Sequence, residues 1–201
     1  VRRNWITLAV SSLVAVAVLT GCGGGDDEST TGNQADAAFV ADMVPHHEGA
    51  VVMAEMAQQQ AENPKLKALA DEIIVAQEKE IAEMEAIKED LPEPDGGAAD
   101  EHMMGEDHTG HTGMDAEAMG MNMDPAELAD AESFDIAFID MMIPHHEGAV
   151  EMANQLLDDG ENPELQAMAE AIVASQTAEI EQMRQWRAQW AGEQKSGAGQ
   201  G

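Results

Sequence analysis

"VPHHEGAV" (Val44–Val51) returns as "IPHHEGAV" (Ile143–Val150), an offset of 99 residues from His46 to His145. The motif sits inside a longer copy. Aligned without a gap, Phe39–Met84 and Phe138–Met183 are identical at 22 of 46 positions. Self-similarity at a fixed offset marks an internal duplication, so positions kept in both copies can be separated from positions that drifted.

Each copy reads as a helix pair. Phe39, Met43, Ala50, Ala54 and Ala57 make a helical stripe, which "ENP" (Glu62–Pro64) interrupts. Pro64 suits the first position of a new helix, and Leu66, Leu69, Ile73, Met84 and Ile87 then share one face. "ENP" at Glu161–Pro163 repeats the break. Aromatic residues are only 3% of the chain and apolar–polar alternation is missing, which leaves no basis for strands. A single helix pair would expose its stripe, so two pairs predict an all-α fold, one antiparallel four-helix bundle. Pro45 and Pro144 fall inside stripes that stay in phase across them, which predicts helices kinked at the proline but continuous.

The beginning of the chain has a different character. Arg2 and Arg3 precede an apolar run, Ile6–Leu19, and then "LTGC" at Leu19–Cys22. That is the layout of a lipoprotein signal peptide over 1–21, with Cys22 as the lipidated residue. The predicted organisation continues with a flexible tether at 22–34 and a bundle domain at 35–191. Within the bundle, repeat 1 covers 35–91, a Met/His-rich linker 92–126 and repeat 2 127–191; a disordered tail covers 192–201. The predicted location is the cell envelope, on the outer face of the cytoplasmic membrane or in the periplasm, anchored by lipid. Cys22 is the only cysteine, so the bundle has neither a disulfide nor a thiolate ligand. Without Arg2 and Arg3, seven basic residues face forty acidic ones, which argues against nucleic acid as a partner.

Candidate ligands fall in two groups. On a wheel of about 100° per residue, His46 and His47 flank the first helix's stripe, near Met43 and Met53, while Glu48 points to water. Glu80 lies in the middle of the second helix's apolar face, with Gln77 and Met84 beside it. The second copy repeats the set as His145, His146, Met142, Met152, Gln176, Glu179 and Met183. A carboxylate there is costly unless it is paired or holds a cation. Two readings are open. Imidazole, carboxylate and thioether suit a transition metal, copper above all. Equally, Glu80 could hydrogen-bond His145 or His146 across the bundle, and Glu179 His46 or His47, as a structural network. Gly49 and Gly148 fit either reading, by letting helices approach or leaving room for a ligand.

The second group is the linker, where His102, His108 and His111 crowd with Met103, Met104, Met114, Met119, Met121 and Met123. Glycine and acid are expected to keep this segment from packing, so its methionines read as soft ligands rather than core filler.

The doubled "HHEGA" with a following "MA", and then "NP.L" leading to "Q..EI..M", closely resembles the bacterial secreted family of domain of unknown function 305. The resemblance covers both copies, Phe39–Met84 and Phe138–Met183. It implies a ferritin-like bundle and an exported protein, with a link in some members to copper binding and tolerance. It carries His46, His47, Met53, Gln77, Glu80 and Met84 as motif positions, with their second-copy counterparts. The expectation is a lipid-anchored protein that binds and buffers or delivers copper, or another transition metal, with enzymatic activity left open. Alternatives are a ferritin-like metal oxidase and an envelope interaction module with structural histidines. Against di-iron chemistry, no histidine has a glutamate three residues before it.

Overall fold

The computed structural model describes residues 31–94, 110–122 and 124–197. Its long helices are α1 (Gln34–Gln60), α2 (Pro64–Lys88), α4 (Phe134–Asp159) and α5 (Pro163–Gly197), with a short α3 (Pro125–Ala129) leading into α4. The expected bundle is present: α1 packs on α2, α4 packs on α5, and α1 meets α4. Both α1 and α4 continue through their prolines, as the in-phase stripes predicted. Asn63 caps α2 ahead of Pro64, its side chain accepting from the Lys65 amide at 3.0 Å.

The apolar core is two clusters. One joins the C-terminal half of α1 and the first half of α2 to Phe138, Ile139 and Met142 of α4 and Met183 of α5. The other joins Phe39, Val40 and Met43 of α1 and Met84 of α2 to the C-terminal half of α4 and the first half of α5. The start of α1 thus packs beside the end of α4, so the two helices cross antiparallel. The +99 offset turns one cluster's methionine trio, Met43, Met84 and Met152, into Met142, Met183 and Met53 of the other. The duplication has become a pseudo-two-fold axis.

Two aspartates lock the repeats end to end, a role the sequence reading did not assign. Asp36, fully buried, accepts from the amides of Glu161 (3.0 Å) and Asn162 (3.1 Å) in the α4–α5 turn. Its counterpart Asp135 accepts from Glu62 (2.9 Å) and Asn63 (2.8 Å) in the α1–α2 turn. Each repeat's first helix therefore caps the other repeat's turn, satisfying amides that precede a helix start. The signal was present as the repeated "ENP" together with an Asp three residues before each conserved Phe.

Two expectations are corrected. The linker does pack over 110–122. Met119 is 3% exposed within the second cluster, and Met114 and Met121 lie against it. Asp42 makes this docking favourable: its carboxylate accepts from the amides of His111 (3.0 Å) and Thr112 (2.7 Å) and from the Thr112 hydroxyl (2.8 Å). The tail expected from Gly192 is also partly structured, since α5 stays helical to Gly197. Glu193, Gln194 and Lys195 are good helix formers, and extending a helix is far easier than starting one.

Candidate metal centre

Between the two apolar clusters lies a layer of four histidines, all buried. Their rings run in a line. His46 and His145 meet at the α1–α4 crossing with ring centroids 3.7 Å apart. His47 lies 6.2 Å beyond His46, and His146 lies 6.4 Å beyond His145. Gly49 faces this crossing, where a Cβ would lie 3.4 Å from His145 Nε2, at the edge of ordinary contact.

A carboxylate closes each end of the line. His47 Nε2 is 2.8 Å from Glu80 Oε2, and His146 Nε2 is 2.7 Å from Glu179 Oε2. Each glutamate pairs within its own repeat, which corrects the expected pairing across the bundle. The physical reason is the helix order: α2 packs on α1 and α5 on α4, whereas α1 and α4 bring only their own histidines together. Gln77 and Gln176, one turn before the glutamates, are buried as well. Glu48 is exposed, as expected, and Glu147 ion-pairs with Arg184 at the surface.

These contacts fix the tautomers. A carboxylate and a carbonyl oxygen accept, so the ring nitrogen facing them carries the proton. His47 and His146 therefore donate from Nε2 to Glu80 and Glu179. His46 donates from Nε2 to the Met119 carbonyl at 2.9 Å. In all three rings the lone pair sits on Nδ1, and that atom is buried with no protein hydrogen-bond partner. His145 Nδ1 and the side-chain oxygens of Gln77 and Gln176 are likewise unpartnered. Burial, and then electrostatic repulsion from the neighbouring His47, push the His46 pKa down to about 3. Burial, followed by His46, holds His145 well below its usual value. Both central rings are neutral bases at physiological pH.

Neutral imidazole with a free Nδ1, its Nε2–H fixed by a carboxylate or carbonyl, is the form in which histidine binds metal. Among the described residues, however, no three His, Cys, Asp or Glu side chains converge tightly enough to hold an ion. Buried thioethers lie in both adjoining clusters, Met43 and Met152 in one and Met53 and Met142 in the other. Glu80 is reached from solvent, because a groove of about 520 Å³ between α2 and α5 is lined by Glu80, Glu83, Glu164 and Met168.

Of the linker candidates, Met119 is core, Met114 and Met121 are half-buried, and His111 lies beside Asp42 and not in the histidine line. His102, Met103, Met104, His108, Met123 and Cys22 lie outside the described residues.

The profile of the domain of unknown function 305 matches residues 36–187. The chain belongs to that family. Solved structures agree. CopM in a Cu(I)-bound form is 39% identical, with a TM-score of 0.61 over 77% of this chain and 96% of that one. CopM in a Cu(II)-bound form is 41% identical, with a TM-score of 0.61 over 77% and 97%. A family fragment from Deinococcus radiodurans is 27% identical, with a TM-score of 0.62 over 77% and 96%. No curated protein matches. Among the described residues, no helix is long and apolar enough to cross a membrane.

Proposed function

We propose that this family member binds copper, taking up Cu(I) through the buried histidine line and the flanking thioethers, and buffers or delivers it at the cell envelope. One observation carries the reading: the unpartnered Nδ1 atoms of His46, His47 and His146, on rings whose other nitrogen is already held. Unpartnered buried polar atoms are rare in folded proteins and call for an explanation. A ligand that accepts electron pairs supplies one. Buried thioether on both sides of neutral imidazole favours Cu(I) over zinc. The CopM structures with Cu(I), Cu(II) and silver support this choice.

Linker residues His102, Met103, Met104, His108 and Met123 extend the ligand supply as a collecting tract. Cys22 anchors the protein to the membrane through lipid, outside the cytoplasm, where thioether and imidazole stay usable for copper. The deciding experiment is anaerobic Cu(I) titration against a chromogenic chelator. It compares the full chain with a variant carrying Gln at positions 46, 47, 145 and 146. Binding should fall to the level of the linker alone. Equal binding by both proteins would leave the histidine line as a structural network.

A further inference from the structure

Over the histidine layer, the linker breaks the pseudo-two-fold axis. Residues 110–122 run across the α4 face of the histidine layer. Gly110 and Gly113 close a turn, with Gly113 N–H donating to the Gly110 carbonyl at 3.0 Å and Gly113 at φ +79°. A second turn then brings Met119 onto α4, its amide donating to the Asp115 carbonyl at 3.0 Å.

The fit depends on missing side chains. A Cβ on Gly148 would lie 2.1 Å from the Met119 carbonyl oxygen, a contact that no real structure tolerates. A Cβ on Gly120 would lie 2.5 Å from the Pro144 carbonyl oxygen, and Gly120 also has φ +68°, where L side chains are strained. At the far end, Asp42 holds His111 and Thr112. The residue equivalent to Asp42 in repeat 2 is Met141, which offers no such anchor. On the opposite face, a Cβ on Gly49 would meet only His145 Nε2 among the described residues. The His46 side of the layer is thus capped by a main-chain carbonyl, and the His145 side is not capped by the linker.

We infer that the linker turn is a positioning element that makes the two halves of the histidine layer unequal. The Met119 carbonyl, admitted by Gly148, fixes His46 as the Nε2–H tautomer and directs its Nδ1 toward the ion. His145 has no linker carbonyl and is held by the main chain of His46 alone. This rests on the copper reading for its binding consequence, but the tautomer itself is a property of the metal-free protein. Outer partners of ligand histidines are worth 10–100-fold in metal affinity, so the half containing His46 binds Cu(I) by about that factor more tightly.

The test uses the full chain with Gly148→Ala, which keeps α4 helical while forcing Met119 away, and with Asp42→Ala, which frees the other anchor. Long-range proton–nitrogen correlation spectra of the metal-free, nitrogen-15-labelled protein read each histidine's tautomer. Wild type should show His46 as Nε2–H, and both variants should show a tautomer mixture at His46 with His47 and His146 unchanged. In Cu(I) titration, wild type should give two unequal equivalents, and the variants should lose about 10–100-fold from the tighter one only. An unchanged His46 tautomer in both variants overturns the inference, as does a matching loss from both equivalents. If wild type shows the expected tautomers but binds no Cu(I), the copper reading fails and the inequality of sites fails with it, while the positioning role stands.

Discussion

Acid should destabilise the metal-free protein through His46, by an amount the structure sets. An unfolded histidine titrates near 6.5, whereas burial and His47 lower the folded value to about 3. The lowered value fixes the sign. Below pH 6.5 the unfolded chain binds a proton that the folded protein refuses, so stability drops as pH falls from 6.5 toward 3 and is unaffected above 6.5. One proton is worth about 1.4 kcal/mol per pH unit. Between pH 6.5 and 4.5, His46 alone therefore costs roughly 2.7 kcal/mol, against the total of about 5–15 kcal/mol typical of a domain. His145 acts in the same direction. With the rings 3.7 Å apart, the first proton opposes the second and the two effects do not simply add. The control is His46→Gln, whose amide can still donate to the Met119 carbonyl but cannot take up a proton. Urea midpoints are measured with chelator present at pH 7.0, 6.5, 5.5 and 4.5, at constant slope. Carboxylates contribute equally to both proteins, so the difference reports His46 together with its coupling to His145. Wild type should lose roughly 2.7 kcal/mol more than the variant over that window. Parallel loss in the two proteins would refute the buried neutral base.

Asp36→Ala leaves the buried Asn162 amide and its neighbour Glu161 without their acceptor and should cost about 3 kcal/mol in urea unfolding; Asp135→Ala, whose amide partners are more exposed, should cost less. Glu80→Ala should release the His47 tautomer and weaken Cu(I) binding 10–100-fold, whereas Glu80→Gln, which keeps an acceptor oxygen, should retain most of it, both read by chelator competition. Leu128, fully buried, pins α3 to the core, and Leu128→Ala should cost about 2–5 kcal/mol of thermal or urea stability.

The fold was legible because the repeat carries its own internal comparison. Helix periodicity, "ENP" at each turn and an inward Glu80 kept as Glu179 specify helix pairs and the polar layer they bury. What was not legible depends on distances between elements. A wheel shows that Glu80 faces inward, but not whether it meets His47 or His146; that is decided by which helix packs closest. The linker was misread for a similar reason. Its composition looks unable to pack, yet three glycines and Asp42 remove the steric and electrostatic obstacles one residue at a time. Gly148 reads as a close-approach residue, but what approaches is the linker's main chain and not a helix.

The unpartnered Nδ1 atoms connect folding to function. Each buried polar group without a partner costs about 1–3 kcal/mol, and the line holds four such imidazole nitrogens. The fold must offset this from its apolar clusters, where methionine and alanine fill much of the space that leucine could have packed more rigidly. Residues that lower stability and persist in both copies are better explained by a ligand than by the fold. Copper binding should therefore appear as stability. With free Cu(I) at 100 times Kd, one site adds about 2.7 kcal/mol. At 2–4 °C per kcal/mol for a chain of this size, Tm should rise by roughly 5–11 °C. Anaerobic calorimetry with Cu(I), zinc and no metal decides it. Zinc should give a smaller shift because it binds thioether poorly. An equal shift with zinc would refute the preference for Cu(I), and a Cu(I) shift that survives replacement of all four histidines by Gln would show that the layer exists for packing and that the copper ligands lie elsewhere.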